Sequence, residues 1–401
     1  MTSTYDVVVV GLGISGSATV SALAARGASV LAVDTHGPTH RYGSSHGESR
    51  IFRRTYWEGT SYLPLLNRAD RMWSELERAH GDVLTVRTGG LFMGDSTEGL
   101  VELSRHTAQD GCIPHEIWDA AEANARFDWL NLGPDISVLY EPGAYTLLAD
   151  RARLALLDAA VRAGAVVRFG ERALAVSSTA EGASVHLGSG ETVSCGAIAL
   201  SAGPWSNDFL ADELPGILHP HRVPVYWFRT RFPGANEGMP AFVYESASGG
   251  VVYGCPEWGR GGREVKIGFH NRQQTPGDPS DPTPHRVGST QQAEIVEAVS
   301  RFLTEIDPEP VRSAMCFYTM TPDGSFVIDR ARSAPRLVYS AACSGHGFKF
   351  APAIGECLAL LALGEKPDLD LTAFARARFD VQRSDGSAAG ELQRRGPRSR
   401  R

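Results

Sequence analysis

The first forty residues pass from an apolar run to a glycine-rich turn and back to an apolar run. The run that ends at Val10 predicts a buried strand over residues 6–10. Helical spacing of apolar residues predicts a helix over 14–26, and a second apolar run over 29–33 leads to Asp34. We interpret this segment as a strand, helix and strand unit, in which the two strands are parallel.

The two patterns, apolar runs and apolar residues at helical spacing, recur along the rest of the chain. Residues 221–270 are rich in β-branched and aromatic residues interrupted by Gly and Pro, which predicts an antiparallel sheet. An apolar strand returns at 337–341. Apolar residues at helical spacing predict further helices over 61–80, 149–163, 291–302 and 350–363. The fold class predicted is therefore α/β with an α+β second lobe: a Rossmann-like nucleotide-binding domain interleaved with an antiparallel-sheet substrate domain.

The length of the chain favours two domains. A chain of 401 residues, 42% of them hydrophobic, is large enough for its core to divide into two lobes. We assign residues 1–80, 150–215 and 311–363 to the nucleotide-binding domain, and residues 81–149 and 216–310 to the substrate domain. Residues 384–401 contain almost no apolar side chains, so we predict a disordered tail there.

Composition narrows the kinds of molecule that we expect the protein to bind. The net charge of −7 leaves no basic field for a nucleic acid, and no run approaches the ~20 apolar residues of a membrane-spanning helix. The first residues lack the features of a secretory signal, so we expect a cytoplasmic protein. The six cysteines form neither a CxxC pair nor a cluster with histidines, which argues against a metal site and against a disulfide framework. We expect a monomer that acts on a small molecule.

A dinucleotide-binding motif occupies the first turn. Gly11, Gly13 and Gly16 match GxGxxG between a strand and a helix, and Asp34 follows the last glycine by 18 residues, close to the ~20 expected for an acid that binds ribose. The alternative is a tight turn needed only for packing. The motif alone does not separate NAD from FAD, but the late return of the chain to the same sheet favours FAD. Residues assigned to the nucleotide from this segment are Gly11, Gly13, Ile14, Ser15, Gly16, Asp34 and Thr35.

Several further motifs resemble one family. Residues 43–53 read Gly-Ser-Ser-His-Gly-Glu-Ser-Arg-Ile-Phe-Arg, and other matching segments cover 56–59, 202–206, 265–270, 316–323 and 344–349. With them, the chain from Tyr5 to about Leu363 resembles the monomeric sarcosine oxidase and N-methyltryptophan oxidase family, whose members are FAD-dependent amine oxidases of the D-amino-acid-oxidase-like superfamily.

The resemblance implies how FAD is held. Cys316 matches the family cysteine that carries FAD through a thioether; without the resemblance, the residue is an ordinary buried thiol. The backbone at Gly345 and Gly347 precedes a helix, so its N–H groups suit the flavin pyrimidine; His346 between them is otherwise only a turn residue. The other cofactor-binding residues implied are Ser44, Ser45, Arg50, Ala202, Gly203, Trp205, Phe348 and Lys349.

The resemblance also assigns roles to four cations. Lys266 matches the family's oxygen-activating lysine, although a lone lysine in a strand is more often solvent-facing. Arg50 is expected beside the flavin ring. Arg53 and Lys349 match the two cations that hold the substrate carboxylate. The alternative for this stretch is a surface ion pair of Arg53 or Arg54 with Glu58.

Three further side chains complete the candidate site. His270 resembles a family histidine close to the substrate and is placed with the catalytic residues, and packing is the alternative. Tyr318 is also placed with the catalytic residues. Tyr253 is assigned to substrate binding, with plain aromatic core as the alternative.

The function implied is oxidation of a secondary amino acid, N-methyl or cyclic, to an imine, with electrons passed to dioxygen to give hydrogen peroxide. A direct hydride transfer and a polar adduct both remain open as the first step. Ser45 and Trp57 depart from the sarcosine-type pattern, so sarcosine, an N-methyl aromatic amino acid, a pipecolate-like ring and a cyclic imine of secondary metabolism all remain candidates. A flavin dehydrogenase with a carrier as acceptor and a non-enzymatic flavoprotein are the competing classes.

Overall fold

The computed structural model describes residues 5–95, 98–231, 238–259, 263–281, 287–304 and 306–380. The tail expected at 384–401 lies outside these residues. The helices are α1 (Ile14–Ala25), α2 (Leu63–His80), α3 (Leu100–Asp110), α4 (Ala120–Arg126), α5 (Ala149–Arg162), α6 (Asn207–Leu210), α7 (Ser289–Ser300) and α8 (Ala351–Ala362), with short 3₁₀ turns at Thr60–Tyr62, Gly203–Trp205, Phe348–Phe350 and Thr372–Phe374.

The strands include each of the apolar runs predicted above. They are β1 (Tyr5–Val10), β2 (Val30–Asp34), β3 (Ser49–Phe52), β4 (Thr85–Val86), β5 (Gly90–Asp95), β6 (Glu116–Asp119), β7 (Ile136–Glu141), β8 (Tyr145–Leu148), β9 (Val166–Phe169), β10 (Ala173–Ser178), β11 (Ala183–Leu187), β12 (Thr192–Leu200), β13 (His219–Thr230), β14 (Ala241–Glu245), β15 (Val251–Pro256), β16 (Glu264–Phe269), β17 (Thr275–Pro276), β18 (Ile306–Met320), β19 (Val327–Arg330) and β20 (Leu337–Ala342).

The first sheet is built around the predicted strand, helix and strand unit. β9, β2, β1, β12 and β20 are mutually parallel in that order, and β10, β11 and β19 extend the sheet with antiparallel pairs. Residues 7–10 of β1 are buried because helices cover one face of the sheet and other strands flank β1 on both sides. The return of β20 to the edge of β12 confirms that the chain comes back to this sheet late.

The second sheet carries much of the candidate site. Its strands follow the order β17, β13, β16, β15, β14, β5, β7 and β6, with β18 also paired to β13. The pairs are antiparallel except for β14 with β5, which is parallel. The long partner strand β18 runs along almost the whole of β13. A small third sheet has the strand order β3, β8 and β4.

Close helix packing fixes the position of the first turn. α1 packs against α5 and α8, and α8 approaches α1 at Gly355, where a Cβ atom would lie 2.5 Å from the carbonyl carbon of Ala18. The α/β class and the two principal sheets predicted from the sequence are confirmed. Within the described residues, every helix is too short or too polar to span a lipid bilayer.

Candidate active site

A cavity of about 530 Å³ runs from the first turn of the first sheet to the second sheet. Every residue that the sequence assigned to the site lines this cavity, except Gly16. Segments more than 300 residues apart in the chain therefore meet around one space.

The glycine turn forms the first end of the cavity. Gly11 adopts φ +88°, and a Cβ atom there would lie 2.6 Å from the carbonyl oxygen of Ser201. A Cβ atom at Gly16 would lie only 1.8 Å from the carbonyl oxygen of Gly11, so Gly16 allows the helix to pack on the turn without facing the cavity. Gly13 caps α1 and carries no side chain that would obstruct the helix N-terminus. The exposed N–H groups of such a terminus suit a phosphate.

Asp34 and Ser45 hold this turn in shape. One carboxylate oxygen of Asp34 accepts a hydrogen bond from the backbone N–H of Leu12 (2.7 Å), and the other accepts one from that of His36 (2.8 Å). The hydroxyl oxygen of Ser45 accepts a hydrogen bond from the backbone N–H of Ile14 (2.9 Å). Each carboxylate oxygen of Asp34 has further acceptor capacity, so the residue combines support of the turn with a surface for ribose hydroxyls.

An aromatic group encloses the same end. The ring of His36 stacks on Tyr42 with centroids 4.4 Å apart and lies 5.7 Å from Trp205. His40 lies 5.1 Å from His36, and burial lowers the pKa of His40 to about 4. Only Trp205 was assigned from the sequence. The other three follow Asp34 within eight residues, and their aromatic content was the available signal.

One face of the second sheet carries the residues at the far end. Cys316 and Tyr318 lie two positions apart on β18, and Lys266 and Gly268 lie two positions apart on β16. Tyr253 on β15 lies directly opposite Gly268. Alternate residues of a strand point to the same side, so the register of four neighbouring strands, β18, β13, β16 and β15, assembles this face. A Cβ atom at Gly268 would lie 2.9 Å from the Tyr253 hydroxyl, which explains the glycine there.

Lys266 is buried in the cavity wall. Its ammonium donates hydrogen bonds to the carbonyl oxygens of Gly47 (3.0 Å) and Ser49. Burial, aided by the nearby charge of Arg50, lowers the pKa of Lys266 to about 8. The solvent-facing alternative for this strand lysine is therefore wrong, because the 47–49 turn covers the face of the sheet on which the lysine lies.

Arg50 organises the loop that precedes it. Its guanidinium donates hydrogen bonds of 2.7 Å to the carbonyl oxygens of Ser44, His46 and Ser49, and it lies 5.2 Å from the centre of the Phe348 ring. These contacts fix a positive charge against the cavity. They also join the loop of residues 44–49 to the segment that carries Phe348.

Cys316 has a histidine beside it. Nε2 of His46 lies 3.4 Å from Sγ of Cys316, and both side chains are buried. Burial lowers the pKa of His46 to about 4, so its imidazole is neutral. Burial also raises the pKa of the Cys316 thiol, against the opposing effects of Arg50 and Lys266. His46 was not assigned to the site from the sequence, although it stands in the 43–53 motif.

Arg53 forms an ion pair inside the cavity. One of its Nη atoms donates to both carboxylate oxygens of Glu58, at 2.9 and 2.8 Å, and its guanidinium lies 3.2 Å from the centre of the Trp57 ring. The ion pair considered for this stretch thus exists, but it is buried rather than on the surface. Burial alone would raise the pKa of Glu58, but the charges of Arg53 and Lys349 outweigh it and hold that pKa below its ordinary value.

Lys349 is the second cation at this end. Its ammonium donates to the carbonyl oxygen of His346 (2.9 Å), and its own carbonyl accepts from the Trp73 indole (2.8 Å). Burial and the neighbouring Arg53 lower the pKa of Lys349 to about 7. The lysine therefore retains donors for a ligand while its backbone is held in place.

The remaining polar side chains of this end are neutral. Nε2 of His346 donates to the carbonyl of Gly324 (3.1 Å), so its Nδ1 accepts from the Tyr56 hydroxyl (2.5 Å). Burial lowers the pKa of His270 to about 4, and the ring lies 6.0 Å from Trp57 and 6.3 Å from Tyr318. His346 is thus more than a turn residue. Its bond to Tyr56 ties the segment around Lys349 to the segment that carries Arg53.

The chain fits an FAD molecule in chemical terms. The turn at α1 offers N–H groups to a pyrophosphate, and Asp34 offers a carboxylate to a ribose. The buried Lys266 and Lys349 and the half-buried Arg50 line the end where an isoalloxazine ring would lie. Gly345, with φ +83°, allows its backbone to approach the ring of Tyr318, which a Cβ atom would meet at 2.5 Å. Cys316 lies at the same end.

Comparison with known proteins identifies relatives along nearly the whole chain. The family described as FAD dependent oxidoreductase (DAO) matches residues 6–361. Monomeric sarcosine oxidase of Streptomyces avermitilis is 36% identical over 90% of this chain and 94% of its own. N-methyl-L-tryptophan oxidase of Salmonella agona is 31% identical over 94% of this chain and 99% of its own.

A solved structure extends the similarity to three dimensions. NikD, described as an unusual amino acid oxidase essential for nikkomycin biosynthesis, superposes in its open form with a TM-score of 0.82. The sequence identity is 26%, and the alignment covers 93% of this chain and 98% of NikD. The similarity thus includes both large sheets.

Proposed function

Because the chain belongs to the FAD-dependent oxidoreductase family that includes monomeric sarcosine oxidase and N-methyl-L-tryptophan oxidase, we propose that it oxidises a secondary amino acid and reduces dioxygen to hydrogen peroxide. The product is an imine, and the substrate carries an N-methyl group or a ring nitrogen. The observation that carries this proposal is the placement of three cations, the buried Lys266 and Lys349 and the half-buried Arg50, around the cavity that begins at the glycine turn.

The residues proposed to hold FAD are those of the cavity's nucleotide end and of the 344–349 segment. The glycine turn binds the pyrophosphate, Asp34 the ribose, and the backbone at Gly345 and Gly347 the pyrimidine. Cys316 is proposed to form the covalent bond. FAD, when bound, supplies the two-electron acceptor for the amine.

Arg53 and Lys349 are proposed to hold the substrate carboxylate. Two cations that donate to two oxygens both fix orientation and contribute charge-assisted hydrogen bonds. In the structure the guanidinium of Arg53 is paired with Glu58. A substrate carboxylate therefore takes over donors from Glu58, and the strength of that ion pair sets part of the cost of binding.

The walls around this anchor suit a neutral amine with an apolar substituent. His270 is uncharged because of burial, and Trp57, Tyr253 and Val243 line the same space. Tyr318 accepts or donates a hydrogen bond through its hydroxyl. These side chains exclude water from the reacting carbon, which strengthens the electrostatic contacts.

Lys266 is proposed to assist dioxygen. A fixed ammonium stabilises negative charge that develops on oxygen, and it does so best where water is excluded. The two carbonyl contacts from the 47–49 turn hold this charge in place before any ligand arrives.

The substrate class is tested by an anaerobic screen of N-methyl and cyclic amino acids. A substrate is expected to bleach the visible absorbance of the bound flavin, and hydrogen peroxide is expected to appear once air is admitted. A protein that purifies without flavin and does not take it up would contradict the proposal. A protein that is bleached but passes no electrons to oxygen would indicate a dehydrogenase instead.

Replacement of Lys266 by Met separates the two half-reactions. Reduction by substrate is expected to persist, while reaction with oxygen slows by about 10²-fold or more because the preorganised charge is lost. Stopped-flow absorbance measures both steps. Lys366→Met, at a surface lysine after α8, is the matched control, and equal slowing of both steps in the Lys266 variant would reject the role.

A further inference from the structure

A second cavity, of about 420 Å³, lies behind the wall that Lys266 forms. It shares His46, Gly47 and Lys266 with the first cavity and is otherwise lined by different residues. Lys266 is therefore accessible from two sides. The side away from the amine leads to a cluster of carboxylates, and none of these carboxylates lines the amine end of the first cavity.

The turn that holds Lys266 also joins it to this cluster. Gly47 and Ser49 contribute the two carbonyl contacts to the ammonium. Glu48, between them, has a left-handed backbone (φ +69°) and accepts hydrogen bonds from the Trp227 indole (3.0 Å) and from Arg312 (2.8 and 2.7 Å). A non-glycine residue adopts this conformation at an energetic cost, and here the contacts of its side chain compensate for it.

Sheet register places Glu257 next to Lys266. Lys266 lies opposite Cys255 on β15, and the backbone N–H of Glu257 donates to the carbonyl of Glu264, two residues before Lys266. Glu257 and Lys266 are thus diagonal neighbours on one face of the antiparallel pair, at a separation of roughly 7–8 Å. Both line the second cavity. Side chains of this length meet across such a distance directly or through one water molecule.

The charges around Glu257 favour its keeping a proton near neutral pH. Arg312 is the cation of the cluster and pairs with Glu48 (2.7 Å), Glu264 (3.0 Å) and Glu257 (3.3 Å). One guanidinium does not compensate three carboxylates. Burial, with added repulsion from Glu264 and Glu48, raises the pKa of Glu257 to about 7. This value lies close to the pKa of about 8 for Lys266, so a proton moves between the two groups at little cost.

Other ionisable groups around the two residues are fixed or distant from the exchange. Arg50 and Cys316 face Lys266 from the first cavity, and Cys255 lies opposite it on β15; burial raises the pKa of both thiols. Lining residues of the second cavity that also carry ionisable groups are His46, whose pKa is about 4, Arg41, Asp150 and Arg151.

We propose that the second cavity is a proton-supply path in which Glu257 passes protons from solvent to Lys266 while dioxygen is reduced on the opposite side of that lysine. This rests on the proposed function, because it takes dioxygen as the acceptor. Glu257 acts through Lys266 and touches neither amine nor oxygen. The amine and its leaving proton are handled in the first cavity, so the two proton movements are spatially separate.

The proton balance is closed by this path. The amine loses a C–H hydrogen with two electrons and an N–H proton, and dioxygen gains two electrons and two protons. One proton comes from the Lys266 ammonium, where an N–H bond breaks and an O–H bond forms. The other is the hydrogen that left the C–H bond of the amine together with the two electrons. In the same step the carboxylic acid of Glu257 gives its proton to the Lys266 nitrogen, so that the lysine stays charged, and a proton from water in the second cavity then restores the acid. The amine releases one N–H proton in the first cavity, and Glu257 takes up one proton from water in the second cavity, so the overall number of protons is unchanged.

The test uses Glu257→Gln with Glu213→Gln as the matched control. Glu213 is buried to the same extent as Glu257, 7% exposed in each case, and lies outside both cavities. The flavin of each holoprotein is reduced chemically, without an amine, and mixed with oxygen in a stopped-flow instrument at pH values on both sides of 7. This makes the result independent of the substrate's identity.

In the wild type and in Glu213→Gln, the rate of reoxidation is expected to fall as the pH rises through about 7, where Glu257 loses its proton. Glu257→Gln is expected to react roughly tenfold to hundredfold more slowly on the acidic side and to show no inflection there. Small buffer acids that enter the second cavity are expected to restore part of the rate. Glu257→Asp, which keeps an acid, is expected to retain the inflection. Glu257→Met, which also removes the acid, takes the place of Glu257→Gln should that variant not fold.

A second measurement does not depend on activity. The infrared carbonyl stretch of a protonated carboxyl is expected to disappear from the oxidised protein as the pH rises through about 7, and to be absent from Glu257→Gln but present in Glu213→Gln. An unchanged rate and pH profile in Glu257→Gln, or an unchanged infrared band, would overturn the path alone. A wild type that does not reoxidise in oxygen would overturn both this path and the oxidase function.

Discussion

Burial beside Arg53 lowers the pKa of Lys349 to about 7, so this residue changes charge in the neutral range. The ammonium is present below that pKa and is lost as the pH rises through it. A carboxylate inhibitor that has no amine of its own responds only to the charges of the site. Its affinity therefore reports the ionisation of Lys349.

We expect such an inhibitor to bind progressively more weakly above pH 7, by up to about tenfold for each pH unit once the lysine is neutral. The change in flavin absorbance on titration measures the affinity. Lys349→Met is expected to bind weakly with little pH dependence. An affinity that stays constant in the wild type through this range would show that Lys349 does not hold the carboxylate.

Glu58 occupies donors of Arg53 that a substrate needs. Glu58→Gln removes the competing charge and leaves a buried guanidinium that a bound carboxylate compensates. We expect the same inhibitor to bind roughly tenfold more tightly, or about 1.4 kcal/mol. Glu102→Gln, which removes an exposed partner of Arg105, is the control. Weaker binding in Glu58→Gln would mean that the ion pair positions Arg53 instead of competing for it.

At the scale of elements, the contact of α1 with α8 determines where the glycine turn lies. A Cβ atom at Gly355 would meet the backbone of Ala18 at 2.5 Å and of Thr19 at 2.7 Å, and backbone atoms do not move aside as a flexible side chain does. The two helices must separate to accept it. Because α1 begins at the turn, the separation also disturbs the nucleotide end of the cavity.

Gly355→Ala is therefore expected to destabilise the protein by about 1–3 kcal/mol and to weaken FAD retention. Urea unfolding and the flavin content of the purified protein measure the two effects. Gly133→Ala is the control, since a Cβ atom there has open space. Equal stability of the two variants would contradict the packing argument.

At the scale of the whole molecule, residues from both large sheets surround one cavity, so its ligand links them. We retain as a proposal the two-domain division with residues 1–80, 150–215 and 311–363 in the FAD-binding part. A ligand that contacts both parts stabilises the folded chain by binding only the folded state.

Cys316→Ser turns this linkage into a measurable equilibrium. We expect acid precipitation to leave the yellow colour with the wild-type pellet and to release it from the variant. The unfolding temperature of the variant is expected to rise with added FAD, with about 2.7 kcal/mol of stabilisation when FAD is at 100 times its dissociation constant. Cys195→Ser, at a buried cysteine outside the cavity, is the control. Colour that stays in the pellet of Cys316→Ser would place the attachment elsewhere.

Local patterns along the sequence were sufficient for the longest helices and the principal strands, although not for α3 and α4, and for many of the residues that line the cavity. The glycine turn, the first strand, helix and strand, and the alternation around Lys266 all follow from backbone geometry over a few residues. The motif at residues 43–53 and its companions predicted the family. Because these features are local, they were readable without the fold.

The tertiary structure alone decided how these residues are paired. Glu58 pairs with Arg53 inside the cavity, His46 lies against Cys316, and Glu257 and Lys266 line the same second cavity. His46 and Cys316 belong to a turn and a strand that are distant in the chain. The placement of Glu257 and Lys266 in one cavity depends on which strands are neighbours in the sheet. Register between strands is set by the packing of the whole sheet, and burial then sets the charges. Neither property is encoded in the spacing of a motif.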